Sequence, residues 1–209
     1  MTGPALLVVP LLAERAALGR WAPAALRVGA GPRRAAAAAG RIRSELDSGR
    51  YAALLITGTC GGLAGGMRPG DLVVASEVDG HSGLITCTEP ETLVEELTGA
   101  LRRLGRAVHV GRIHTADHLV DGPERATLAA AGAIAVDTES ALLAAAAGGR
   151  PVVVVRAVSD TPAQPLRSIG IVRNGLNALR SLRATARVLA NLSVPAGTLA
   201  AEDQEREVG

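Results

Sequence analysis

Short apolar runs of β type alternate with Ala-rich, charge-bearing runs of helical type along nearly the whole chain. Ala5–Val9 reads as a buried strand stopped by Pro10, and Leu11–Leu18 as the helix after it. Ala25–Val28 is a second strand, ended by Gly29-Ala30-Gly31-Pro32. Pro32 suits the first turn of a helix, where the N–H it lacks is unpaired anyway, and Arg33–Leu46 continues that helix. Ala52–Thr57 is a third strand, with a glycine-dense loop from Gly58 to Gly70 behind it. Leu72–Val78 and Ala107–His114 read as strands on either side of a helical run, Glu91–Leu104. Pro123–Ala131 is a short helix, Ala133–Val136 a short strand and Glu139–Ala147 a helix. Val152–Val158 is the clearest buried strand, and Ser168–Leu192 a long Arg-studded helix. Pro195–Gly209 is polar and Glu-rich and is expected to fray.

Strands of near-continuous apolar character separated by helices imply a three-layer α/β/α sandwich around a mixed, mostly parallel central sheet. No internal repeat or linker divides the pattern. Residues 1–194 are therefore expected to form one domain, with 195–209 as a C-terminal tail.

Composition narrows the function more than the fold. Of 209 residues, 48% are hydrophobic and 20% charged, which excludes a disordered or collagen-like chain. A net charge of +2, no Phe, one Trp and one Tyr give neither the electrostatic footprint nor the stacking platforms of a nucleic-acid binder. Cys60 and Cys87 are too few for a disulfide scaffold and fit a reducing compartment. No stretch reaches the roughly 18 apolar residues of a membrane span, and the opening lacks the basic start of a signal peptide. The expectation is a cytoplasmic protein.

In α/β sheets, ligands bind beyond the carboxyl ends of strands, which directs attention to four places. After Thr57 runs Gly58-Thr59-Cys60-Gly61-Gly62-Leu63-Ala64-Gly65-Gly66, whose backbone N–H groups can approach an anion or a sugar. It is not a Walker loop, and a tight turn between strands explains it as well. After Val155, Arg156-Ala157-Val158-Ser159-Asp160 sets charge beside a dry core, where it needs a partner or a task. Asp160 reads either as a general acid or as the cap of a following helix.

Val136-Asp137-Thr138-Glu139-Ser140 reads as a plain N-cap or as a place where Glu139 accepts hydrogen bonds from two neighbouring hydroxyls. Glu14, after the first strand, is either polar helix surface or an inward carboxylate. Cys60 has no identifiable His partner to make it a nucleophile. His114, Asp117 and His118 have a metal-compatible spacing but no fuller ligand pattern, so no metal is expected. His81 and His109 carry no message. Gly29-Ala30-Gly31-Pro32-Arg33 lacks the third Gly of a dinucleotide fingerprint, which argues against an NAD-binding module.

Taken in order, Ile56–Leu63 with Pro69–Val74, Ala133–Ala141, Val152–Asp160 and the Val28–Pro32 turn resemble the nucleoside phosphorylase/nucleosidase superfamily. The branch with the methylthioadenosine/S-adenosylhomocysteine nucleosidases is the nearest parallel, over roughly Leu6 to Leu192. That resemblance implies cleavage of the N-glycosidic bond of a 5′-modified purine nucleoside through an oxocarbenium-like sugar. It implies that Asp160 protonates or hydrogen-bonds purine N7, with Ser159 and Leu119 beside the base. Glu139 and Thr138 would hold the ribose, and Glu14, Thr59, Arg156 and Gly61 would position the nucleophile, water or phosphate. The Met that precedes the ribose Glu in the family is Thr138 here, and the aromatic that flanks the purine is His118 or Leu119. Shortness, the glycine turn and the Arg-rich last helix also resemble the hopanoid-associated phosphorylases, and futalosine hydrolase has similar segments. No cofactor is implied beyond phosphate as a co-substrate, and a homo-oligomer, a dimer first, is the expected assembly. A nucleoside-binding member that has lost turnover is the alternative.

Overall fold

The computed structural model describes residues 2–22, 24–80, 83–87, 91–166 and 170–195. The strands are β1 Thr2–Val9, β2 Leu26–Arg27, β3 Ala53–Gly62, β4 Leu72–Gly80, β5 Ile85–Thr86, β6 Val108–Thr115, β7 Ala133–Asp137, β8 Val152–Asp160 and β9 Ser193–Pro195. The helices are α1 Leu12–Leu18, α2 Pro32–Asp47, α3 Glu91–Arg102, α4 Pro123–Ala130, α5 Ser140–Ala144 and α6 Ile171–Ala190, with 3-10 turns at Gly19–Trp21 and Ala145–Ala147.

Period-two alternation in the central strands feeds two cores. Leu6 and Val8 of β1, Leu54 and Ile56 of β3, and Val152 and Val154 of β8 pack with Ala35, Ala38, Ile42 and Leu46 of α2 and with α5. The intervening residues, Leu55, Val153 and Val155 among them, pack with Leu97 and Leu101 of α3 and with Ala178, Leu182, Ala186 and Leu189 of α6. These helical residues recur at three- and four-residue spacing, so each helix turns one stripe to the sheet. A smaller cluster, Leu63, Ala116, Val120, Ala133 and Val136, lies under α4. This is the layered, mixed-sheet architecture that the hydrophobic pattern implies.

Two features go beyond that reading. Strand β8 pairs parallel to β3 and antiparallel to β4, while β4 pairs with β6, β6 with β7, and β7 with β3. Those five strands therefore close into a ring, and their ends converge. Second, the glycine-rich stretch is strand rather than loop as far as Gly62, with Gly58 paired to Arg156 and Gly61 to Asp160. Space for a side chain there is tight. A Cβ on Gly58 would stand 2.4 Å from Arg156 Nη1, and one on Gly62 would stand 3.1 Å from the sulfur of Met67.

At the chain's end, β9 pairs antiparallel with β1 as far as Pro195, the first residue of the expected tail. Residues 196–209 and His81 lie outside the described residues. Among the described residues no helix is long and apolar enough to cross a membrane.

Candidate active site

A cavity of about 210 Å³ opens where β3, β7 and β8 meet. Glu14, Thr59, Gly61, Leu119, Thr138, Glu139, Ser159 and Asp160 all line it, with Leu11, Cys60, His118, Arg125 and Asp137. Arg156 is fully buried behind the wall.

Glu14 is an inward carboxylate, 1% exposed, not helix surface. Its Oε2 accepts from the Leu11 N–H at 2.8 Å, closing the first turn of α1 from within. Its Oε1 accepts from the Thr59 N–H at 2.8 Å and the Thr59 hydroxyl at 2.9 Å. The first helix and the glycine-rich strand are thus tied together at one carboxylate.

Asp137 does act as a cap. Its Oδ1 accepts from the N–H groups of Glu139 and Ser140 at 3.2 and 3.1 Å and from the Thr115 hydroxyl at 2.9 Å. Its Oδ2 pairs with Arg156 Nη2 at 2.9 Å, and Ser140 Oγ accepts from the same guanidinium at 2.9 and 3.2 Å. Burial opposes the Arg156 charge, but Asp137, Glu139 and Glu14 together outweigh it and hold the guanidinium's pKa above its ordinary value. Arg156 Nη1 is buried without a hydrogen-bond partner.

With the helix end already capped, Glu139 turns to the cavity. Its Oε1 accepts from the Gly31 N–H at 2.7 Å and the Thr138 hydroxyl at 2.6 Å, and its Oε2 stands 3.9 Å from Arg156 Nη2. The Gly29–Gly31 turn thus serves this carboxylate, and Arg33 beside it is exposed away from the cavity wall.

Asp160 ends β8 and caps no helix. The Ser159 hydroxyl, 2.7 Å from its Oδ1, also lies 3.1 Å from the Cys60 carbonyl. Its Oδ2 accepts from Nη2 of Arg125, a residue that the sequence reading did not single out. Arg125 also donates from Nε to the Val120 carbonyl at 3.1 Å, while its Nη1 is buried without a partner. Leaving such a donor unmade costs about 1–3 kcal/mol.

Burial pushes the Cys60 thiol well above its ordinary range, against the opposing pull of Arg156, which leaves it protonated and a poor nucleophile. The His114 ring bonds Asp79 at 2.9 Å, whereas His118 bonds Asp117 and Glu124 at 2.6 and 2.9 Å. His109 bonds Asp71 at 3.1 Å. Leu119, at 74% exposure, is a rim residue rather than a packed one.

Four buried carboxylates from three distant segments around one cavity, two of them neutralised by guanidinium groups, suit the handling of a polar, hydroxyl-bearing small molecule. The chain belongs to the phosphorylase superfamily, whose family model matches residues 13–191. Over 124 residues it is 33% identical to the 5′-methylthioadenosine/S-adenosylhomocysteine nucleosidase of Actinobacillus succinogenes; the match covers 50% of this chain and about half, 54%, of that relative. The nucleosidase of the same name from Neisseria meningitidis, solved with methylthio-immucillin-A, has a TM-score of 0.76 at 22% identity, over 90% of this chain and 99% of that one. A Helicobacter pylori nucleosidase mutant with 5′-methylthioadenosine in its active site has a TM-score of 0.75 at 14% identity, over 91% and 99%. At those identities the two structures establish a shared fold.

Proposed function

We propose that the protein cleaves the N-glycosidic bond of a 5′-modified purine nucleoside, releasing the base. The observation that carries this reading is the meeting of Glu14, Glu139 and Asp160 around one cavity. Breaking that bond moves electrons into the base and leaves positive charge on the sugar. Asp160, with its cationic partner, serves the base. Glu139 has one oxygen fixed by Gly31 and Thr138, which leaves Oε2 for the ribose hydroxyls; such contacts strengthen as the sugar becomes cationic.

Water is the favoured nucleophile. Glu14 presents a carboxylate oxygen already held by Thr59, which can take a proton from water but would repel a phosphate dianion. Arg33, the cation of the glycine turn, lies outside the cavity wall. Burying Leu119 against a purine face contributes about 1.5–3 kcal/mol, replacing the family's aromatic cover. Pro10 and Leu11 beside Glu14 offer an apolar path for the 5′-substituent, which suits an alkyl or lipid group as well as methylthio.

We place the protein in the cytoplasm as a homodimer, a reading supported by its two unpaired cysteines, the family resemblance and the exposed Val172 and Leu176 one turn apart on α6. Sedimentation tests the dimer. The function is tested by product analysis with methylthioadenosine, adenosylhomocysteine, futalosine and a lipid-linked adenosine. Free base and free sugar are expected in phosphate-free buffer; base release that requires phosphate, with sugar phosphate as product, reverses the assignment of the nucleophile. No base from any of them ends the proposal.

A further inference from the structure

The Asp137 carboxylate is spent entirely on the protein. Its side chain is 1% exposed. Oδ1 accepts from the Thr115 hydroxyl and from the N–H groups of Glu139 and Ser140. Oδ2 accepts from the Ser140 hydroxyl at 2.5 Å and pairs with Arg156 Nη2. A carboxylate offers about four lone-pair positions, and these donors fill them, so Asp137 has nothing left for a ligand. Capping α5 needs only one of its oxygens. The other faces a guanidinium that has a choice of partner.

Arg156 Nη2 lies 2.9 Å from Asp137 Oδ2 and 3.9 Å from Glu139 Oε2. A cation in so dry a place needs a counter-ion, and the carboxylate that supplies it gives up an oxygen. Glu139 has one oxygen to give, because Gly31 and Thr138 hold the other. Ser140 reinforces the choice of Asp137. Its Oγ accepts from Arg156 Nε and Nη2 while donating to Asp137, which fixes the guanidinium on the far side from Glu139.

We propose that Asp137 is a positioning residue: it holds Arg156 back from Glu139, so that Glu139 keeps a free oxygen and its negative charge for the sugar. The role rests on the nucleosidase reading, which gives Glu139 the ribose. In Asp137→Asn, the Oδ1 side still faces its three donors, so the amide nitrogen takes the place of Oδ2 and meets Arg156 donor to donor. The released guanidinium then turns to Glu139 and occupies the oxygen meant for the ribose hydroxyls.

The test compares kcat/KM for base release from methylthioadenosine and from its 2′-deoxy counterpart. It uses the wild type, Asp137→Asn, Ser140→Ala, Glu139→Gln and the Asp137→Asn/Glu139→Gln double variant. The intrinsic lability of each bond is the same for every variant, so a change in the ratio of the two substrates reports the hydroxyl contact. Asp137→Asn should lower the ratio by about 10- to 100-fold, the worth of one charged hydrogen bond. Ser140→Ala removes both bonds from Arg156 to that hydroxyl and should give a smaller fall. In the Glu139→Gln background, Asp137→Asn should change the ratio no further, since the two act on one contact. A merely structural role would slow both substrates alike.

An unchanged ratio in a folded Asp137→Asn, or a fall of full size in the Glu139→Gln background, overturns the proposal while leaving base release intact. Thermal melting checks the fold, and if Asp137→Asn does not fold, an unchanged ratio in Ser140→Ala overturns it instead. If methylthioadenosine binds but no base is released, the nucleosidase reading fails, and calorimetric affinities for the two nucleosides decide the role of Asp137 by the same ratio. Neither binding nor release ends both.

Discussion

The two ends of the cavity are built from the same parts in different proportion. At the Glu14–Glu139 end, Glu14, Asp137 and Glu139 surround one guanidinium, that of Arg156. At the other end, Asp160 has a cation of its own in Arg125. The first end therefore keeps surplus negative charge, and the second is neutral. A glycosidic bond that breaks toward a sugar cation and an electron-rich base asks for that asymmetry.

The largest expected effect comes from breaking the balanced end. Asp160→Asn should lower base release by about 10²–10⁴-fold, the usual worth of a group acting on a leaving atom. It also strands Arg125 without a counter-ion, and breaking a buried pair costs about 3–5 kcal/mol, so the melting midpoint should fall as well. Rate and melting have to be measured on the same preparation. An undiminished rate in a folded variant would remove the base end from the mechanism.

Glu139→Gln probes the other end and sharpens the contrast. The amide keeps an oxygen for the Gly31 N–H but loses the charge that favours a cationic sugar, and about 10- to 100-fold in kcat is expected to go with it. Stability should suffer less than in Asp160→Asn, because Arg156 keeps Asp137 at 2.9 Å whereas Glu139 is 3.9 Å away. Equal loss of stability in the two variants would show that the ends do not differ in this way.

Why one end was readable in the sequence and the other only half so lies in where the residues sit. Glu139, Ser159 and Asp160 each come after an apolar strand, and a charge at such a boundary stands out. Asp137 was legible only as a cap, since its second oxygen finds Arg156 across the fold. Arg125 was missed because Pro-Glu-Arg-Ala-Thr-Leu-Ala-Ala reads as an ordinary surface helix; nothing local marks which charge turns inward. The layers and most elements were visible from periodicity. The closing of β3, β7, β6, β4 and β8 into a ring was not, because the antiparallel pairing of β8 with β4 joins segments far apart in the chain. Glycine's poor strand propensity likewise hid the second half of β3.

The glycines of that hidden half allow a smaller test. Gly58→Ala would set a Cβ 2.4 Å from Arg156 Nη1 and 3.0 Å from Glu14 Oε1, whereas in Gly61→Ala the nearest atoms are Arg125 Nη2 at 3.0 Å and Asp160 Oδ2 at 3.2 Å. Overpacking of this kind costs about 1–3 kcal/mol. Gly58→Ala should lie toward the upper end of that range, since Arg156 is fully buried and held by Asp137 and Ser140, and Gly61→Ala toward the lower. Denaturant unfolding of the two variants reads the difference, and the reverse order would contradict the smaller clearance at Gly58.

The smallest effect expected is a pH dependence at the rim of the base end. His118 bonds Asp117 and Glu124, and those two hydrogen bonds, helped by the Glu124 charge, raise its pKa above the ordinary 6.5. Because the folded-state pKa is the higher one, the contribution to stability is complete below the unfolded value and disappears as the pH climbs through the folded value. Glu124 precedes Arg125 on α4, so the clamp steadies the helix that carries the base-end cation. His118 is exposed, and solvent screening keeps the contribution slight. His118→Gln should therefore melt a little earlier than the wild type on the acid side of pH 6.5 and together with it in alkaline buffer. A ring titration of His118 by NMR at or below 6.5 would remove the clamp and with it any pH-dependent difference between the two ends.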